Sequence, residues 1–219
     1  MTDPTDETDE IAQLYALTSS VIADAPGRGA IDVLLEEPLP QDVSPQTLET
    51  GFESLEKWRT DVEDPAAEAD DLKKAHTRLF VGPRPKLQVH ESWYADDYLG
   101  KPLAAIKASY RDLGILPTEE LKEEADHAAV ELAALEILAM EGEDDLRRAF
   151  LEAHGWWLPD LAADLREVAD DPFYEAIGWI LEGTLEVDAH VLGIDLEELS
   201  PGYSLAPSVY TGDATSSNS

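Results

Sequence analysis

Two stretches of this chain hold the side chains with chemistry to offer. The first is His90-Glu91-Ser92-Trp93-Tyr94, which follows a helical stretch ending in Arg78-Leu79-Phe80-Val81-Gly82-Pro83. A carboxylate beside a hydroxyl suits acid/base or nucleophilic work, yet the Gly-x-Ser-x-Gly setting of many serine nucleophiles is absent. Loops carry function more often than their helical neighbours, while two large aromatics also suit anchoring a long crossover onto a core. The second stretch is Glu123, Asp126, His127 and Glu131. Spacing of four aligns Glu123, His127 and Glu131 on one helical ridge, and a histidine between two carboxylates is expected to favour its charged form. That pattern fits a charged recognition spot or a solvated helix face. One histidine and two carboxylates do not specify zinc.

Other candidates are weaker. Trp156-Trp157, near Gly155 and Pro159, suits the core better than the wall of an apolar peptide groove. His76, His90, His154 and His190 are scattered and receive no role. Gly27-Arg28-Gly29 lacks the strand–turn–helix context of a phosphate loop.

The elements that must position these residues read as helical almost throughout. Ile11, Leu14, Tyr15, Thr18, Val21 and Ile22 follow helical spacing up to Pro26-Gly27. A short helix is expected over Ala30 to Glu36. Ser44-Pro45 reads as an N-cap with proline at the first helical position, opening a helix through Leu48, Phe52, Leu55 and Trp58. Asp64-Pro65 repeats that signal ahead of Leu72, Ala75 and Leu79. Pro102 to Leu113 ends at Gly114. The longest helix is expected to start at Thr118 with acids in its first turn, and to carry Leu121, Ala125, Ala128, Leu132, Leu135 and Ala139. Further helices follow over Glu143–Ala153, Leu158–Val168 and Pro172–Val191. No strand alternation or hairpin signal is convincing. The expected class is all-α, a single domain of about eight or nine helices over residues 11–200, with an acidic segment at 1–10 and a flexible tail at 201–219.

Composition bounds the environment. The 219 residues include 48 Asp and Glu against 15 Lys and Arg, for a net charge of -33. A 43% hydrophobic content at helical spacing argues for a folded chain rather than a disordered one. Carboxylate self-repulsion opposes compaction, and at molar salt the Debye length is only about 3 Å. A halophilic protein that loosens at low ionic strength is therefore expected, and a circular-dichroism melt in dilute buffer against molar KCl tests it. Nucleic acid is excluded as a partner for want of clustered positive charge suited to a phosphate backbone. Cysteine is absent, which removes disulfides, thiolate nucleophiles and cysteine metal sites. The acidic N-terminus is unlike a signal peptide, and no apolar run approaches the ~20 residues of a membrane span. A cytoplasmic location without membrane insertion is expected.

Four ordered motifs point to a family. His76-Thr77-Arg78-Leu79-Phe80-Val81-Gly82-Pro83 resembles its aromatic-x-x-Leu-Phe-x-Gly-Pro segment. His90-Glu91-Ser92-Trp93-Tyr94 resembles Tyr-Glu-Ser-x-Tyr. Glu123-Glu124-Ala125-Asp126-His127 resembles Glu-Pro-x-Asp-His. Trp157-Leu158-Pro159, then Asp171-Pro172-Phe173-Tyr174, resemble Trp-Leu-Pro and Thr-Pro-Phe-Tyr. Together, over Ile11 to Gly193, they resemble the TorD/DmsD/NarJ group of molybdoenzyme-specific chaperones. Glu124 departs from the family proline, so the turn before Asp126 is expected to give way to a helix starting earlier.

The resemblance implies an all-helical fold, no catalysis, no cofactor and no metal. It implies binding of the twin-arginine signal peptide and apo-form of a molybdopterin oxidoreductase, of the dimethyl-sulfoxide/trimethylamine-N-oxide reductase type. Such a chaperone holds its client until the cofactor is inserted and so delays export. It nominates Leu79, Phe80, Gly82, Pro83, Glu91, Ser92, Tyr94, Glu123, Asp126 and His127 as peptide-binding residues. Arginine pairs with carboxylates through a bidentate fork, which makes Glu91, Glu123 and Asp126 the expected acceptors. At molar salt exposed ion pairs contribute little, so an apolar groove with Phe80, Trp93 and Trp156 as walls is expected to supply most of the affinity. The alternatives are a nitrate reductase assembly chaperone of the same family, a carboxylate/histidine hydrolase using Glu91 or Glu123 with His127, and an acidic helical scaffold with no peptide groove. Either a monomer or a homodimer is compatible with the chain.

Overall fold

The computed structural model describes residues 4–41, 43–115 and 123–202, with side chains from Glu10 onward. Ten α-helices occur among the described residues: α1 Pro4–Ala23, α2 Arg28–Glu36, α3 Gln46–Asp61, α4 Pro65–His76, α5 Glu91–Tyr94, α6 Lys101–Leu113, α7 Ala128–Met140, α8 Asp144–His154, α9 Leu158–Val168 and α10 Pro172–Leu192. A π-helical turn, Thr77–Val81, extends α4, and a 3₁₀ turn, Gly155–Trp157, joins α8 to α9. The all-α class holds. The helix beyond the expected eight or nine is α5, a single turn inside the stretch read as a loop.

Helix α10 runs through the middle of the fold, against α3, α9 and α1, while α7 lies on α1. Phe173, Ile177, Ile180, Leu181 and Leu185 on α10 are wholly enclosed. Each such side chain contributes about 1.5–3 kcal/mol by leaving water. The α3–α10 crossing is close because it is made across glycines. A Cβ on Gly183 would lie 2.6 Å from Leu48 Cα, and one on Gly51 would lie 2.9 Å from the Ile180 backbone nitrogen. Apolar side chains occur on most faces of α7, so it is not amphipathic: Leu132, Leu135 and Leu138 are buried, while Ile137 and Met140 are exposed.

The Asp-Pro starts behave as the sequence indicates. Asp64 accepts from Ala66 N at 2.9 Å and Asp171 from Phe173 N at 2.9 Å, each with proline next. Ser44-Pro45 does not. The helix starts one residue later, so Pro45 takes the cap position with no side-chain cap, and the Ser44–Pro45 bond is cis.

The expected Thr118 start and Leu121 lie outside the described residues, as does the tail from 203 onward. Within the described part, the long helix is corrected: α7 begins at Ala128, and 123–127 form a turn closed by His127 N donating to Glu124 O at 3.1 Å. The turn is kept without the family's proline because extended pairing of His127 with His90 takes the backbone that a helix would have used.

Candidate functional site

The two chemistry-bearing stretches meet. His90 and His127 form an isolated antiparallel bridge, with Ala128 N donating to Val89 O at 2.8 Å and Glu91 N to Asp126 O at 2.9 Å. The Asp126 carboxylate also accepts from Ser92 N at 3.2 Å. His127 caps α7, its Nδ1 accepting from Ala129 N at 3.1 Å. That requires a lone pair on Nδ1, so the proton sits on Nε2, which lies 3.7 Å from Glu123 Oε2. Burial, then the neighbouring His90 and His76, push His127 down to about 3. The expected charged histidine is therefore neutral. Desolvation costs its cation more than one half-exposed carboxylate returns.

Behind the bridge, Glu91, Asp126 and Glu131 are wholly buried. One Glu91 oxygen accepts from Trp156 Nε1 at 2.9 Å, and the other meets His154 Nδ1 at 3.1 Å. His154 Nε2 in turn meets Ser109 Oγ at 2.8 Å. Glu131 accepts from Trp157 Nε1 at 3.0 Å. Burial, reinforced by the charge of Glu91, holds the Glu131 carboxyl well above the usual range, so it keeps its proton. The ridge of Glu123, His127 and Glu131 does not exist, since Glu131 turns into the core and Glu123 precedes the helix. Tyr94 ties the same unit to α9, donating to Asp164 at 2.8 Å.

In front of the bridge lies an exposed apolar surface. Trp93, Tyr98 and Leu99 are 53%, 55% and 48% exposed. Tyr98 meets the rings of His90 and Trp93 edge-on at 5.9 and 6.5 Å. The loop carrying them is held by Asp97 N donating to Ser92 O at 3.0 Å, Gly100 N to Asp97 O at 2.8 Å and Lys101 N to the Asp97 carboxylate at 3.0 Å. Asp96 and Leu99 both take left-handed backbone, at φ 52° and 56°. For a leucine this costs about 1–2 kcal/mol, and such strain persists where the surroundings over-determine it, often at functional positions.

The nominated residues thus divide. Leu79, Phe80, Glu91, Ser92, Asp126 and His127 are buried, Gly82 and Tyr94 are half-buried, and Pro83 is exposed. Glu123 keeps 45% of its side chain in solvent. Phe80 packs at 5.0 Å on His76 and 5.6 Å on Tyr174. Trp157 is core, as its sequence setting favours, and Trp156 is half-buried against Glu91. Of the expected groove walls, Trp93 is the open one.

The sequence family described as nitrate reductase delta subunit matches residues 45–167, more than half of the chain. The chain belongs to this family. It is the TorD/NarJ-type maturation chaperone group that the ordered motifs resemble. The chain is also similar to Chaperone protein TorD of Vibrio parahaemolyticus serotype O3:K6 (strain RIMD 2210633), at 29% identity over 120 residues. That alignment covers 46% of this chain and 56% of the relative, so the chain spans about half the relative's length. The family match reaches from the residue before α3 to the last turn of α9, and so encloses the bridge, its buried carboxylates and the exposed aromatics.

His154 and Arg147, given no part by sequence reasoning, are functional to this architecture. A signal for both existed. Arg147, Phe150, Leu151 and His154 share one helical stripe at i, i+3, i+4 and i+7, and all four are buried. A polar residue on a core-facing stripe implies a buried partner. The identity of that partner, 63 residues away for His154, is not visible in spacing.

Proposed function

We propose that this protein is a maturation chaperone that binds the twin-arginine signal peptide and apo-form of a molybdopterin oxidoreductase, of the dimethyl-sulfoxide/trimethylamine-N-oxide reductase type. It holds this client in the cytoplasm until its cofactor is inserted, before export. Family membership and the similarity to a TorD chaperone support this reading. The observation that carries it is the fixed, exposed surface of Trp93, Tyr98 and Leu99, in front of the bridge whose His127 faces Glu123.

The division of labour among the nominated residues follows from burial. The apolar part of the peptide rests on Trp93, Tyr98 and Leu99. Glu123 accepts an arginine, since its carboxylate is in reach of solvent. Glu91, Ser92, Asp126 and His127 hold the bridge that presents this surface, while Leu79, Phe80 and Tyr94 seat it on the core. A hydrolase using Glu91 with His127 fits less well, because both Glu91 oxygens and His127 Nδ1 already serve the frame.

A nitrate reductase assembly chaperone is the second reading, favoured by the description of the matching family. Titration of a labelled twin-arginine peptide in molar KCl separates the two. In the first reading Trp93→Ala weakens binding about tenfold or more, as loss of an aromatic anchor does, and Glu123→Gln reduces the preference for Arg-Arg over Lys-Lys. Equal affinity of wild type and both variants removes the proposed surface. Absence of peptide binding with co-purification of a nitrate reductase subunit selects the second reading.

A further inference from the structure

The chain's charge is distributed very unevenly. No Asp or Glu occurs between Asp71 and Glu91, although acids outnumber bases 48 to 15 overall. That acid-free stretch holds Lys73, Lys74, Arg78, Arg84 and Lys86, one third of all the basic residues. Part of it folds into a shallow cleft of about 480 Å³ lined by Thr77, Arg78, Gly82, Pro83, Arg84 and Lys86. The strand-like return of the chain fixes its shape, with Lys86 N donating to Arg78 O at 3.1 Å and Leu87 N to Leu79 O at 3.0 Å.

The cleft already reads one carboxylate. Asp170, in the short connection between α9 and α10, takes Lys86 Nζ at 3.1 Å and Arg78 at 3.5 Å. Arg84 pairs with no carboxylate among the described residues. It stands exposed between Pro83 and Pro85, whose fixed φ angles limit the backbone freedom lost on binding. Elsewhere the acidic surface repels an acidic partner, so oppositely charged encounter is steered to the place where cations gather.

We propose that the Arg78–Arg84–Lys86 cleft docks a carboxylate-rich segment of another polypeptide, with Arg84 as the open fork that receives it. Asp170 shows the manner of contact, and Arg84 extends it outward to a second carboxylate. This surface does not depend on the peptide surface around Trp93, and its test uses no twin-arginine peptide.

The test is fluorescence anisotropy with the full chain and a labelled peptide of alternating Asp and Gly. KCl is set at the lowest concentration at which circular dichroism shows full helicity. The Asp peptide binds, and its counterpart of alternating Asn and Gly does not. Arg84→Glu weakens binding about tenfold or more, whereas Lys57→Glu, the same charge change at an exposed site on α3, weakens it less than about twofold. Arg84 is exposed, so its variant keeps the fold, and its helicity is checked alongside. Equal loss in both variants, equal binding of the Asn peptide, or no binding of the Asp peptide overturns the proposal. So does a cleft that takes inorganic phosphate while ignoring the Asp peptide.

Discussion

Buried carboxylates are handled in two different ways in this molecule. Asp188, on α10, is neutralised by an arginine. Arg147 on α8 lies 3.0 Å from it, Arg147 also meets Asp144 at 3.0 Å, and Tyr15 on α1 donates to Asp188 at 2.7 Å. The arginine contacts are ion pairs rather than well-aligned hydrogen bonds. Glu91, Asp126 and Glu131 are met instead by indoles, an imidazole and a backbone N–H. The first arrangement is a three-helix staple that sets a cation against its buried carboxylate. The second gathers like charges, and burial with mutual repulsion keeps a proton on Glu131. A staple needs strength. A frame that aims a loop needs direction, which hydrogen bonds from planar rings supply.

The largest effect is expected at the staple. Arg147→Met leaves Asp188 buried without its cation, and losing one partner of a buried pair costs about 3–5 kcal/mol. Denaturant unfolding in molar KCl measures this. Adding Asp188→Leu recovers most of the loss, because the uncompensated charge goes too. If the double variant is as unstable as the single one, Arg147 acts through packing and the charge contrast is wrong.

At the frame the effects are smaller and unequal. Glu91→Gln keeps the shape but turns one acceptor into a donor facing either the Trp156 indole or His154, and an unsatisfied buried group costs about 1–3 kcal/mol. Glu131→Gln raises stability near neutral pH, because the unfolded chain has released the proton that burial makes the folded state keep, glutamine needs none, and its remaining oxygen still accepts from Trp157. The reverse ranking in the same unfolding series would show that burial does not hold the proton on Glu131.

Titration sharpens the contrast further. His127 is depressed to about 3 from an ordinary 6.5. Between those values the unfolded state binds the extra proton, so stability falls as pH drops through this window. Glu131 is raised above its ordinary 4.5, so above that value the folded state binds the extra proton and stability falls as pH rises. His127→Asn, whose side chain also caps helices, flattens the acid side by on the order of 1 kcal/mol or more. Glu131→Gln flattens the alkaline side. Unchanged slopes in both variants would show that these groups do not titrate as buried residues.

Much of this fold is legible in local sequence because the determinants are local. Asp64-Pro65, Asp171-Pro172 and Gly114 mark helix ends through contacts within a few residues, and all three hold. The motif stretches are legible as important, and they do come together. Their roles are not legible, because the decisive partners are distant in sequence. Glu91 reads as an arginine acceptor until Trp156 and His154 occupy both oxygens. His127 reads as charged until the bridge to His90 buries it. The α7 start is missed for the same reason, since a long-range pairing overrides local helix propensity.

The smallest effect tests the exposed side of the frame, and its sign is the informative part. Leu99 holds φ 56° while presenting nearly half its surface to solvent. Leu99→Gly relieves a left-handed strain of about 1–2 kcal/mol and returns part of that gain by freeing the unfolded chain. A net stabilisation of about 0.5–1 kcal/mol is expected in chemical unfolding, together with weaker binding of the twin-arginine peptide because an apolar contact is lost. A folding-driven position shows the opposite sign, losing stability when its side chain is removed. Leu99 therefore separates the two regions by one measurement: at Arg147 the side chain holds the fold together, and at Leu99 the fold holds a strained side chain out.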